Sequence, residues 1–146
     1  MTTGDRPRIV LDTNVIVSGI LFKGHTVRNV LATAVDAYQL VFSDETWDEF
    51  ALVMQRSKFE KHMPIDARLA AIAALARYIE MVTVVSVIDD CRDAKDNKFL
   101  SLAIDASAAI IVTGDEDLLV LNPYRGVEIV TVTAFHTRLY GAPAAA

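Results

Sequence analysis

Asp12 and Asp115 are the residues from which a chemistry can first be read. Asp12 ends the run Ile9-Val10-Leu11, and Asp115 follows Ile110-Ile111-Val112 after Thr113 and Gly114. An unbroken apolar run that stops at polar residues fits a strand buried on both faces, the pattern of a parallel sheet covered by helices. In such sheets ligands bind just beyond the carboxyl ends of the strands, so both carboxylates are expected at one rim. Each alone reads equally as the N-cap of a following helix; two strands ending this way favour a site. Asp96 stands three and four residues before Phe99 and Leu100, which turns it toward the inward face of a first helical turn. A capping box in Asp93-Ala-Lys-Asp96 is the alternative. Glu49 lies on a further helix among Thr46, Leu52 and Val53, where a carboxylate is costly unless paired or metal-bound. Spacing alone leaves Asp48 and Glu45 as equal candidates. Carboxylates gathered on one rim repel each other without cations, and all-oxygen ligation suits hard ions such as Mg²⁺ or Mn²⁺.

Other chemistries find little support. His25, His62 and His136 are scattered, with no zinc spacing among them and Cys91. No Gly-x-Gly-x-x-Gly follows a strand, and there is neither a Walker loop nor a nucleophile elbow. Hydrolysis at a metal cluster is what is left.

Holding the acids in place requires alternating strands and helices. After the first strand, helices are expected over 15–22, ended by Lys23-Gly24, and over 26–38, with Val27, Val30, Leu31, Ala34 and Val35 on one face. Leu40-Val41-Phe42 reads as a strand. A helix over 44–57 follows, with Trp47, Phe50, Ala51 and Met54 as its core stripe. A polar, mostly basic connection leads to Pro64 and an alanine-rich helix over 65–80, with Leu69, Ile72, Ala73 and Ala76 inward. Val82 to Ile88 is β-branched and reads as a strand or extended segment. A helix over 94–107, the strand before Thr113, a short helix over 117–121, a strand over 127–130 and a helix from about Ala134 complete the series. Such alternation means βαβ crossovers and a mainly parallel sheet.

The chain has 146 residues, 53% of them hydrophobic, which suits one domain with a substantial core and excludes a disordered tail protein. No apolar stretch reaches the roughly 18 residues of a membrane helix. The polar start and single cysteine suggest a reducing cytoplasm. The net charge of −5 argues against a broad basic face for nucleic acid, although bound divalent ions would reverse the local field.

Leu11-Asp12-Thr13-Asn14, Glu49-Phe50, Asp96-Asn97-Lys98-Phe99-Leu100 and Thr113-Gly114-Asp115-x-Asp117-Leu118 resemble, in that order, the motifs of the PIN domain. The likeness runs from about Arg8 to Tyr140. The stretch Cys91 to Leu100, Cys-Arg-Asp-x-x-Asp-x-Lys-Phe-Leu, is similar to the branch of VapC-like toxin components of toxin–antitoxin systems. The resemblance implies a three-layer α/β/α fold with a mainly parallel sheet. It places a PIN-like nuclease domain over 8–140, between a flexible N-terminus over 1–7 and a disordered tail over 141–146. It also implies a Mg²⁺- or Mn²⁺-dependent endoribonuclease, with Asp12, Glu49, Asp96 and Asp115 as catalytic metal ligands and Asp117 as an accessory acid. Choosing Glu49 over Asp48 rests on the resemblance. Thr13, Asn14 and Thr113 would orient carboxylates or water, or Asn14 and Thr113 simply cap turns. RNA would be the substrate, a cognate antitoxin the partner and a homodimer the assembly. Phosphate contacts need cations, for which Lys23, Arg28, Arg56, Lys58, Lys61, Arg92, Lys95 and Lys98 are candidates. Two other readings compete: a non-catalytic PIN-like module that binds RNA or protein, and another Mg²⁺ phosphohydrolase with Asp12 as nucleophile. The latter chemistry favours Asp-x-Asp-x-Thr, and the third position here is Asn14.

Overall fold

The computed structural model describes residues 6–22 and 24–141. The tails expected over 1–7 and 141–146 therefore lie, except for Arg6, Pro7 and Gly141, outside the described residues, as does Lys23. In chain order the elements are β1 (Arg8–Leu11), α1 (Thr13–Leu21), α2 (His25–Asp36), β2 (Gln39–Phe42), α3 (Asp44–Met54) and α4 (Ile65–Ala76). They continue with β3 (Glu80–Met81), α5 (Asn97–Asp105), β4 (Ile110–Val112), α6 (Glu116–Leu119), β5 (Glu128–Val130) and α7 (Val132–Tyr140). The five strands form one parallel sheet in the order β3-β2-β1-β4-β5. It is the expected three-layer α/β/α arrangement.

Strand period places alternate residues on opposite faces of the sheet. Ile9, Leu11, Leu40, Phe42, Ile110 and Val112 pack toward α1, α2, α3 and α7, while Val10, Val41 and Ile111 pack toward α5. Both faces are thus covered, which is why β1 and β4 read as unbroken apolar runs. β1 lies between β2 and β4, with Leu11 opposite Val112. The chain goes to β2 on one side and later to β4 on the other, so a topological switch point sits at the carboxyl end of β1, where a ligand crevice is expected.

Several elements differ from the sequence reading. The third strand is Glu80–Met81, and segment 82–88, expected as a strand or extended segment, takes the second form. The Val82 N–H still donates to the Phe42 carbonyl at 2.8 Å, but the Val85 and Ser86 N–H groups turn to the Asp105 carboxylate at 2.6 and 2.9 Å. Segment 82–88 is therefore extended but outside the ladder. α3 stops at Met54 because the Arg68 guanidinium takes up the Met54 and Arg56 carbonyls, at 2.7 and 3.0 Å. The inward stripe of α4 is Arg68, Ala71, Ile72 and Leu75; Leu69, Ala73 and Ala76 are exposed. The helix over 94–107 splits into a 3₁₀ turn, Ala94–Asp96, and α5. No helix among the described residues is long and apolar enough to cross a membrane.

Candidate active site at the carboxyl edge of the sheet

Asp12 leaves β1 with its N–H on the Val112 carbonyl at 3.0 Å, so its backbone is fixed by the neighbouring strand. Only 8% of the residue is exposed. One carboxylate oxygen accepts the Asn14 N–H at 3.4 Å, capping α1, and the other accepts the Thr113 hydroxyl at 2.6 Å. Thr113 is fully buried, and its oxygen in turn accepts the Asp115 N–H at 3.0 Å. Asp115 then caps α6 by accepting the Asp117 N–H at 2.8 Å. One hydroxyl thus ties the ends of β1 and β4 together and sets two acids side by side. Both the capping reading and the site reading hold for Asp12 and Asp115, because each carboxylate caps with one oxygen.

Asp96 closes on this pair from the end of the 3₁₀ turn that leads into α5. Oxygens of Asp93, Asp96 and Asp115 all lie within 4.8 Å of one another. In the sequence Asp93 reads only as a cap, and the structure brings it to the acids as well. It does cap the 3₁₀ turn, accepting the Lys95 N–H at 3.2 Å. The signal for its second role is the Asp93-x-x-Asp96 spacing, since 3₁₀ geometry eclipses side chains three residues apart. Asn97 holds the preceding loop by accepting the Cys91 N–H at 2.8 Å.

Of the three acids left open on α3, Glu45 and Asp48 are exposed, whereas Glu49 is half-buried and near enough to Asp12 to act on its charge. The Lys98 ammonium lies 3.2 Å from Glu49 Oε2, close enough for an ion pair but off the axis of a hydrogen bond, so that this buried oxygen has no hydrogen-bond partner. Asp117 sits at the margin, with its carboxylate 4.0 Å from the exposed Arg92. Asn14 contributes a backbone N–H while its side chain is exposed, and Thr13 is buried. Among the other candidate cations, Arg28, Arg56, Lys58, Lys61 and Lys95 are exposed.

The electrostatics match this crowding. Burial, then contact with the Asp115 carboxylate, pushes the Asp96 carboxyl up to about 7, with Asp12 and Asp93 adding to the effect. Burial also raises Asp12, against the lowering pull of its bonds to Thr113 and Asn14. The Cys91 thiol is raised by burial and by the surrounding carboxylates. Asp96 Oδ2, like Glu49 Oε2, is buried with no hydrogen-bond partner. Of the two, Glu49 Oε2 has the Lys98 ammonium beside it, whereas the Asp96 oxygen faces only other carboxylates; such an oxygen in an all-oxygen set fits a hard divalent cation, whose charge would relieve the cost of the crowding. Asp93, Asp96 and Asp115 are placed to hold it, with Asp12 and Glu49 facing them.

The PIN domain family model matches residues 8–117. No curated protein matches the sequence. Among solved structures, the fold is similar to the VapBC2 complex of Rickettsia felis bound to a DNA fragment from its promoter, at TM-score 0.58 and 14% identity, covering 85% of this chain and 98% of that one. It is similar to PAE2754 of Pyrobaculum aerophilum at TM-score 0.60 and 11% identity, covering 94% and 91%. A domain of a functionally unknown Methanocaldococcus jannaschii protein matches at TM-score 0.51 and 14% identity, covering 96% and 94%. At these identities the likeness carries the fold alone.

Proposed function

Because this chain belongs to the PIN domain family, we propose that it is a Mg²⁺- or Mn²⁺-dependent endoribonuclease and the toxin of a toxin–antitoxin pair. The observation that carries the reading is the buried, unpartnered oxygen of Asp96 beside Asp115 and Asp93. A group crowded into this state is a candidate for function. Asp12, Glu49, Asp93, Asp96 and Asp115 hold the ion, with Asp117 as an accessory acid. A divalent ion so held supplies a water of lowered pKa and neutralises charge on a phosphodiester. The chain's own part is to fix the acids. Thr113 locks the Asp12 carboxylate in one rotation and leaves its capped oxygen to α1. Asp115 is oriented by the Asp117 N–H, and Asp93 by the turn it caps.

RNA is the substrate, a cognate antitoxin protein the partner, and a cytoplasmic homodimer the assembly. The partner part draws on the likeness to a VapBC2 complex and on an apolar groove of about 390 Å³ between α1, α2 and α4, lined by Leu31, Val35, Ala71, Leu75 and Tyr78. The test is cleavage of a structured-RNA pool with Mg²⁺ or Mn²⁺, beside an Asp12→Asn, Asp115→Asn double variant. Cutting by the native protein alone, and only with metal, is expected. Native protein that neither binds metal in calorimetry nor cuts RNA would overturn the reading in favour of a binding scaffold.

A further inference from the structure

A groove of about 470 Å³ lies beside the acid site, between the start of α3, segment 81–87 and α5. Small-molecule sites occupy about 300–1,000 Å³, so it is roomy enough for one ligand of modest size. Along segment 81–87 the odd residues are exposed and the even ones half-buried. Met81, Val85 and Val87 are 47%, 80% and 97% exposed, which gives the groove an aliphatic wall. Asp105 fixes that wall from behind through the Val85 and Ser86 N–H groups and the Ser86 hydroxyl. The exposed carboxylates of Asp44 and Glu45 line the same groove.

Lys98 joins the groove to the acid site. Its side chain is only 11% exposed, and its ammonium lies 3.2 Å from Glu49 while donating to the Lys95 carbonyl. Lysine is seldom buried so deeply without a charge to serve. The same side chain lines the groove with Thr83 and Ser101. The groove therefore carries both signs of charge, the Lys98 ammonium and the exposed carboxylates of Asp44 and Glu45. A phosphate is repelled by the carboxylates and held by the Lys98 ammonium. Sugar hydroxyls, which donate, suit the carboxylates, and a ribose has one more of them than a deoxyribose. An unstacked base can lie on the aliphatic wall.

The geometry points to this groove as the seat of one unpaired ribonucleotide next to the scissile phosphate, with the Lys98 ammonium on that nucleotide's phosphate; this rests on the nuclease reading above. Lys98 then both balances Glu49 and sets the register of the strand.

The test is fluorescence anisotropy with a short unstructured RNA, with Ca²⁺ present in place of Mg²⁺ to hold the strand uncut, and Mn²⁺ calorimetry alongside. Lys98→Met should bind the RNA about tenfold more weakly, as for loss of one charge-assisted contact. Its plot of log affinity against log salt should be shallower by about 0.7, the share of one single-strand phosphate. Lys98→Arg should keep most of the affinity and the native slope. Thr83→Trp, on an exposed position, should weaken RNA by filling the groove while leaving the salt slope and Mn²⁺ affinity unchanged. If the native protein binds and cuts RNA but Lys98→Met and Thr83→Trp match it in affinity and slope, the groove proposal falls and the nuclease reading stands. Loss of Mn²⁺ binding in Lys98→Met with RNA affinity kept would confine Lys98 to Glu49 and also overturn the groove. Native protein that neither binds nor cuts RNA overturns both.

Discussion

Arg68, at the junction of α3 and α4, and Asp96, at the carboxyl edge of the sheet, both carry charge into the protein, and they differ in what surrounds them. Arg68 is 1% exposed. Its guanidinium donates to the Met63, Met54 and Arg56 carbonyls and to the Glu60 carboxylate, at 2.9, 2.7, 3.0 and 2.7 Å. Three of these acceptors are backbone carbonyls at a helix end and a turn; the Arg56 carbonyl also takes the Phe59 N–H at 3.1 Å, while those of Met54 and Met63 would otherwise need partners of their own. Asp96, by contrast, faces Asp115, Asp12 and Asp93, and keeps a buried oxygen with no donor at all. One site spends charge to close a loop. The other holds charge unresolved, which is what a cation-binding edge requires and a structural knot does not.

The sharpest way to break this comparison is to remove Arg68. Arg68→Met should destabilise the protein by about 3 kcal/mol, because it strands the Met54 and Met63 carbonyls at the α3–α4 junction. For a chain of this size that lowers the thermal midpoint by about 10 °C. Scanning calorimetry with and without Mn²⁺ checks it, and the rise in midpoint on adding metal should be the same as in the native protein. A metal response lost together with stability would mean the two charged regions are coupled rather than separate.

Thr113→Val probes the edge with a smaller effect. The change keeps the shape but leaves Asp12 Oδ2 and the Asp115 N–H without the hydroxyl that joins them. Orienting partners of this kind are worth about 10–100-fold in metal affinity, so titration calorimetry should show Mn²⁺ binding weakened by that order. The variant should fold, since valine fills the same space. Unchanged metal affinity would show that Asp12 is held by its strand alone.

The same contrast explains what was legible in the sequence. β1 and β4 could be read because both faces of each are buried, so every residue in the run had to be apolar. That these runs lead to Asp12 and Asp115 was visible for the same reason. The α4 stripe does not follow the apolar pattern because its first inward residue is an arginine, and pattern reading assigns a charged residue to solvent. Segment 82–88 has strand composition, but a single carboxylate on α5, Asp105, draws its N–H groups away from the sheet. Asp93 is not legible as a ligand because the sequence pattern reads as a helix where the chain makes a 3₁₀ turn, and the choice among Glu45, Asp48 and Glu49 depends on how α3 is rotated against β1. In α4 and in segment 82–88 a tertiary contact overrides the local pattern; at Asp93 the local turn itself differs.

Neutralising Asp96 gives the smallest effect and the clearest sign. Its carboxyl in the metal-free protein is pushed up to about 7, from 3.8 in the unfolded chain. Below pH 3.8 both states hold the proton and the group costs nothing. Between 3.8 and about 7 the unfolded chain releases its proton while the folded one retains it, so stability falls as pH rises across that window. Above it the penalty is complete. Asp96 is half-exposed, so solvent screening reduces the penalty to about 1 kcal/mol. Asp96→Asn should therefore raise the midpoint of the metal-free protein by about 2–4 °C at pH 8 and leave it little changed at pH 4. Mn²⁺ should erase the native pH slope and do little for the variant. Thermal scans across pH, in EDTA and in Mn²⁺, separate these outcomes. A variant less stable than the native protein at pH 8 without metal would show that Asp96 has a stabilising partner, and the edge would then be a second structural knot like the one around Arg68.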